Sequence, residues 1–133
     1  METMRLSEAI RLGAMALPPV KGPIFARDKD WACGACAIGA PLFALYGHDA
    51  LRLLDAREDC CVSATRRLLA ARCPVAELTV TNPATGSNDN IITVMVTLFE
   101  IHGWTRESIA DWVATIEAQQ EQIEAPALVA VEG

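Results

Sequence analysis

The sequence has few aromatics: three Trp, three Phe and one Tyr make up 5% of its 133 residues. It also runs short of positive charge in its second half. Residues 75–133 carry one basic residue, Arg106, against nine acidic ones, net −8, whereas residues 1–74 carry ten basic and eight acidic, net +2. The second half should repel polyanions. Nucleic-acid binding would therefore fall on Arg52, Arg57, Arg66, Arg67 and Arg72, yet no aromatic interleaves with them as a stacking platform requires. An arginine-mediated nucleic-acid-binding regulator is thus the weakest functional reading.

Other absences narrow the field further. No apolar run approaches the roughly twenty residues that span a bilayer, and Met1–Arg5 lacks the basic-then-apolar pattern of a secretory signal. A cytoplasmic location without a membrane partner is expected. A glycine-rich loop ending in Lys-Ser or Lys-Thr is missing, as is a G-x-S-x-G serine, which counts against a nucleotide-driven enzyme and a serine hydrolase. The acidic pairs Asp28/Asp30 and Glu58/Asp59 lack the ligand spacing of a calcium loop and read as solvated turns. No catalytic constellation stands out, so a non-enzyme is the expectation.

What the chain does have is 52% hydrophobic residues, 21% charged residues and a mean hydropathy of +0.25. That is enough apolar surface for one core and leaves little room for a second. The expected architecture is mainly α: a single-domain small orthogonal helical bundle over 1–133, with room for one short β-hairpin at 76–98.

The periodicity predicts a first helix over 6–17, with Ser7 as N-cap, Leu6, Ile10, Met15 and Leu17 inward, and Arg5, Glu8 and Arg11 in water. Pro18 and Pro19 stop it. Residues 20–34 read as an irregular connection, since Pro23 and a charge cluster argue against a central strand. An almost wholly apolar helix follows over 35–46, with Pro41 in its first turns or bending it and small residues that would admit another helix at close range. Gly47 is its expected C-cap, and His48 or Asp49 opens a short helix through Leu54.

Asp59 or Ser63 then opens a helix to Ala70, which Cys73-Pro74 terminates. One short strand is expected within 75–81, and Asn82–Asn90 is the clearest long loop. Residues 91–101 are ambiguous: their β-branched content suits a strand, while the spacing of Ile91, Met95, Leu98 and His102 suits a buried helix capped by Asn88, Asp89 or Asn90. Of the two, a helix is expected. The clearest element runs over 105–117, with Thr105 as N-cap, Glu107 in the first turn, and Ile109, Trp112, Val113 and Ile116 in one stripe. Residues 124–133 read as a small extended tail that packs on the body or on another subunit.

Five cysteines, at 33, 36, 60, 61 and 73, cannot all pair within one chain. Cys33-Gly34-Ala35-Cys36 is the sharpest local signal, because two sulfurs three residues apart suit one soft metal or a reversible disulfide. It superficially resembles the active segment of thioredoxin-like proteins, but Ala32 separates Trp31 from Cys33 and no βαβ context surrounds it. No cofactor is expected; the exception the sequence offers is a zinc site on Cys33, Cys36, Cys61 and Cys73, with Cys60 or His48 as substitutes. Buried inert thiols are the leading reading, ahead of zinc and ahead of redox exchange. A Cys33–His102 catalytic pair ranks below a plain role for His102 at the end of the apolar helix beside Trp104.

The segment Ile101-His102-Gly103-Trp104-Thr105-Arg106-Glu107-Ser108-Ile109-Ala110-Asp111-Trp112-Val113 resembles the C-terminal helix-turn-helix signature of small uncharacterised bacterial and phage-associated helical proteins. Leu6–Ala14 and Cys36–Ala40 look similar to the same group, so about one-third of the chain takes part. The chain departs from that pattern by a longer insert between Cys73 and His102 and by lacking a second cysteine knuckle. The resemblance implies a helical fold and a bacterial or phage setting, and it brings no catalytic residues.

The leading functional expectation is a small interaction or assembly protein working with a protein partner or as a homo-oligomer, with Arg66, Arg67, Trp104 and Trp112 as interaction residues. A metal or thiol protein using Cys33 and Cys36 is the main alternative.

Overall fold

Helix α1 (Leu6–Ala16) shows how the core is assembled in a computed structural model that describes residues 3–28, 31–55 and 62–132. Leu6, Ile10, Gly13 and Leu17 recur at helical spacing and are buried, while Glu8, Leu12, Met15 and Ala16 share the opposite side and are exposed. Met15, expected inside, is 84% exposed. Five residues of helical rotation carry it about 140° from Ile10 and onto the Leu12 side.

Gly13 leaves a gap in the inner stripe, and α2 (Gly39–Tyr46) fills it. A Cβ on Gly13 would lie 1.8 Å from the Ala40 carbonyl oxygen, so the two backbones are in direct contact. Gly39 does the same against the chain before the first strand, where a Cβ would lie 2.2 Å from the Ile24 carbonyl oxygen. The small residues that the sequence offers to another helix are therefore used by α1 of the same chain. Pro41 sits in the first turn of α2, where its missing N–H costs nothing. Gly47 ends the helix at φ 61°, donating to Phe43 O over 2.8 Å.

Residues 20–34, expected to be irregular, contain a hairpin of β1 (Phe25–Asp28) and β2 (Trp31–Ala35). Pro23 precedes β1 instead of interrupting it. The antiparallel register pairs Ala26 with Gly34 and Arg27 with Ala32, so Cys33 is the extra residue of a bulge. The chain after Pro18 lies alongside β2: Ala35 N donates to Pro18 O and Val20 N to Ala35 O.

Helices α3 (Asp49–Asp55) and α4 (Val62–Ala70) follow. Arg57, Glu58, Asp59, Cys60 and Cys61 lie outside the described residues. Where a strand is expected from Val75, one turn of 3-10 helix covers Pro74–Glu77, and only β3 (Thr79–Thr81) is extended. It pairs with β4 (Asn88–Asn90), Thr79 opposite Asn90 and Thr81 opposite Asn88. The long loop is thus the turn and returning strand of a hairpin confined to 79–90, shorter than the 76–98 allowed by the sequence. Buried Asn82 holds the turn, accepting from Ala84 N at its side chain and from Gly86 N at its carbonyl.

Helix α5 (Ile91–Glu100) resolves the helix-or-strand ambiguity. Asn90 caps it, its Oδ1 accepting from Ile92 N over 2.9 Å, while its Nδ2 donates to Ala76 O over 3.0 Å and ties the cap to the 3-10 turn. Ile91, Ile92, Val94, Met95, Leu98 and Phe99 are all buried. Helix α6 runs from Arg106 to Glu132. Thr105 Oγ1 accepts from Ser108 N as expected of an N-cap, and Ile109, Val113 and Ile116 are buried with Trp112 half-buried beside them. The backbone over 124–132 continues this helix where an extended tail is expected.

The result is a mainly helical single domain: six helices and two small two-stranded antiparallel sheets among the described residues. No helix in that set is long and apolar enough to cross a membrane.

Candidate functional site

Among the described residues two charged side chains of α6 are buried, Arg106 at 3% and Glu117 at 8% exposure, and both act on α1. The Glu117 carboxylate accepts from Ser7 N over 3.4 Å and from Ser7 Oγ. Ser7 is therefore not the N-cap expected of it. Arg5 takes that position with no side-chain bond, and the carboxylate from α6 meets the free amides at the helix start. At the other end, Arg106 Nη2 donates to Ala14 O and its Nη1 to Ala35 O, each over 3.3 Å. Arg11–Asp111 at 2.8 Å and Arg5–Glu121 form exposed pairs along the same seam. Partners 5 with 121, 7 with 117, 11 with 111 and 14 with 106 make α1 and α6 antiparallel.

With α2 and α6 on its inner sides, α1 presents Leu12, Met15 and Ala16 outward. Leu12 is 43% and Met15 84% exposed, one helical turn apart, and Ile101 beyond the end of α5 is also exposed. These three are the exposed large hydrophobics among the described residues. Single exposed apolar residues are ordinary, whereas two aligned on one helix face make a continuous strip.

The cysteines are placed apart in character. Cys33 is exposed on the β2 bulge, and Cys36 and Cys73 are buried free thiols. Burial raises the pKa of Cys36; backbone amides of Gly39 and Ile38 at the start of α2 favour its thiolate, but burial wins. Burial, with the nearby Glu117 charge, pushes Cys73 up to about 11. Both shifts run against the lowered pKa of a reactive thiol. The expected zinc set of Cys33, Cys36, Cys61 and Cys73 includes one residue, Cys61, outside the described part. Among the described residues no three His, Cys, Asp or Glu side chains gather as a metal site. His48 Nδ1 accepts from Ala32 N over 3.1 Å, and its ring packs edge-on against Phe43, which gives it a structural task. His102 is exposed in the turn between α5 and α6.

Of the expected interaction residues, Arg66 and Arg67 are exposed on α4 and border a hollow of about 250 Å³ with Glu77 and Asn90. Arg72 instead turns inward, donating to Leu45 O over 2.6 Å and lying over the Tyr46 ring. Trp104 and Trp112 are half-buried and pack on the core. Trp104 borders a cleft of about 370 Å³ at the start of α6, and Trp112 borders a groove beside β3. A concavity of about 670 Å³ lies over the α1–α6 seam and has Glu117 and Leu6 in its wall.

Sequence reasoning passed over Arg106 and Glu117. Each carried a signal: Arg106 is the lone basic residue after position 74, and Glu117 falls four residues after Val113, on the apolar stripe of α6. No family model, curated protein or solved structure matches the chain.

Proposed function

We propose that this chain is a small interaction or assembly protein, of the bacterial or phage kind that its 101–113 segment resembles, and that it self-associates through the outer face of α1. The observation that carries the reading is the exposed strip of Leu12 and Met15. An isologous pair would set this strip against its own copy, since a two-fold axis brings the same patch from both chains together. Burying a Leu or Met side chain contributes roughly 1.5–3 kcal/mol, so two such residues per chain form the centre of a weak interface. The apolar content at 35–46, which also suggests association on sequence grounds, is buried in the chain's own core against α1, α3 and α4 and lends it no support.

Sedimentation equilibrium over a range of concentrations tests the reading. The expected result is an average mass that rises with concentration for the native chain and stays at the monomer value for Met15→Glu, with helical circular dichroism unchanged. A native chain that is strictly monomeric and retains no partner from its native extract would defeat it.

A further inference from the structure

The cleft at the start of α6 brings two cations together, with the one carboxylate of Glu107 at its mouth. Lys21 and Arg106 both line it, and Lys21 Nζ lies 5.5 Å from the centroid of the Phe99 ring, which forms part of the floor. Thr105 and Glu107 complete the mouth, so the cleft opens at the first turn of a 27-residue helix, where Thr105 Oγ1 takes the Ser108 amide and the Arg106 and Glu107 amides precede it.

Arg106 adds a second, independent sign. Its residue is 3% exposed, its Nε has no hydrogen-bond partner, and no carboxylate among the described residues pairs with its guanidinium. A buried cation held only by two carbonyls is costly, and an unpaired buried donor adds to that cost. Glu100 accepts from Gly22 N over 2.9 and 3.1 Å, and Glu107, exposed at the mouth, acts on Arg106 through its charge without a hydrogen bond to it.

We propose that this cleft binds a small oxyanion group, the phosphate or carboxylate of a compact metabolite, between Lys21, the first amides of α6 and the buried Arg106. The volume of about 370 Å³ lies in the range of small-molecule pockets. Lys21 supplies an exposed charge at the rim. Arg106 supplies fixed positive potential from beneath.

The test follows backbone and Arg106 Nε–H resonances of the full chain by nitrogen–proton NMR during titration with inorganic phosphate, with acetate in a second series and sodium chloride at matched ionic strength in a third. Saturable shifts at Arg106 and Glu107 with phosphate or acetate, and not with chloride, are expected; which of the two saturates assigns the headgroup. Lys21 is exposed, and glutamine keeps part of its stem over the Phe99 ring, so Lys21→Gln should fold normally and weaken the affinity about tenfold. Glu107→Gln, which removes a like charge at the mouth, should tighten it several-fold. Shifts that never saturate, that chloride reproduces, or that Lys21→Gln leaves unchanged would overturn the proposal.

Discussion

Glu117 and Arg106 stand about three turns apart on α6 and hold opposite ends of α1, the carboxylate at its first amides and the guanidinium at the Ala14 carbonyl. Each charge has the sign that the helix dipole favours at its end. One helix thereby fixes both the direction and the axial register of another. Because both charges are buried, a slip of one turn would leave each without its partner, so the pair specifies the arrangement more than it stabilises it.

The α1–α2 contact leaves no space for a methyl group. On helix propensity alone Gly13→Ala should stabilise by up to about 1 kcal/mol. With a Cβ 1.8 Å from Ala40 O, the substitution is expected instead to destabilise by at least about 1–3 kcal/mol in urea unfolding, because backbone must move. A neutral or stabilising result would show that the two helices do not touch there.

Asn90 acts at both ends of its amide, and two substitutions separate the roles. Asn90→Ala should cost about 1–2 kcal/mol by removing the cap of α5 and the bond to Ala76 O. Asn90→Asp keeps an acceptor for Ile92 N and should recover part of that loss. Equal losses in the two variants would mean that the cap contributes nothing.

The thiols should differ in rate and in their effect on stability. Cys33 is expected to react with an aromatic disulfide reagent at once, and Cys36 and Cys73 only on unfolding. For Cys73 the folded pKa of about 11 lies above the ordinary 9.0, so the folded state disfavours the thiolate. Its contribution is fully present below pH 9 and is lost as pH rises from there to about 11, on the order of 2 kcal/mol. The stability difference between native chain and Cys73→Ala should therefore shrink across that window. A difference that is flat with pH would contradict the shift.

Much of the helical framework was legible because it depends on local chemistry. Thr105, Asn90, Gly47 and Pro41 mark ends that the backbone obeys, and Ile109, Val113 and Ile116 mark a buried face. What escaped was set by distant residues. The 25–35 hairpin forms although its strands lack strong alternation, because residues 18–20 and Ile24 supply backbone partners to Ala35 and Cys36. Ser7 has the side chain of a cap, yet Glu117 from 110 positions away takes its hydroxyl. The outer strip at Leu12 and Met15 was hidden for a related reason: only the placement of α2 and α6 decides which face of α1 is left over.

A double-mutant cycle on Ser7→Ala and Glu117→Gln, read by urea unfolding, tests most directly whether α6 holds α1 by this buried pair. The structure predicts that each change costs about 1–3 kcal/mol and that the two together cost at least about 1 kcal/mol less than their sum. Strictly additive losses would contradict it, since they would mean that the hydroxyl and the carboxylate do not meet.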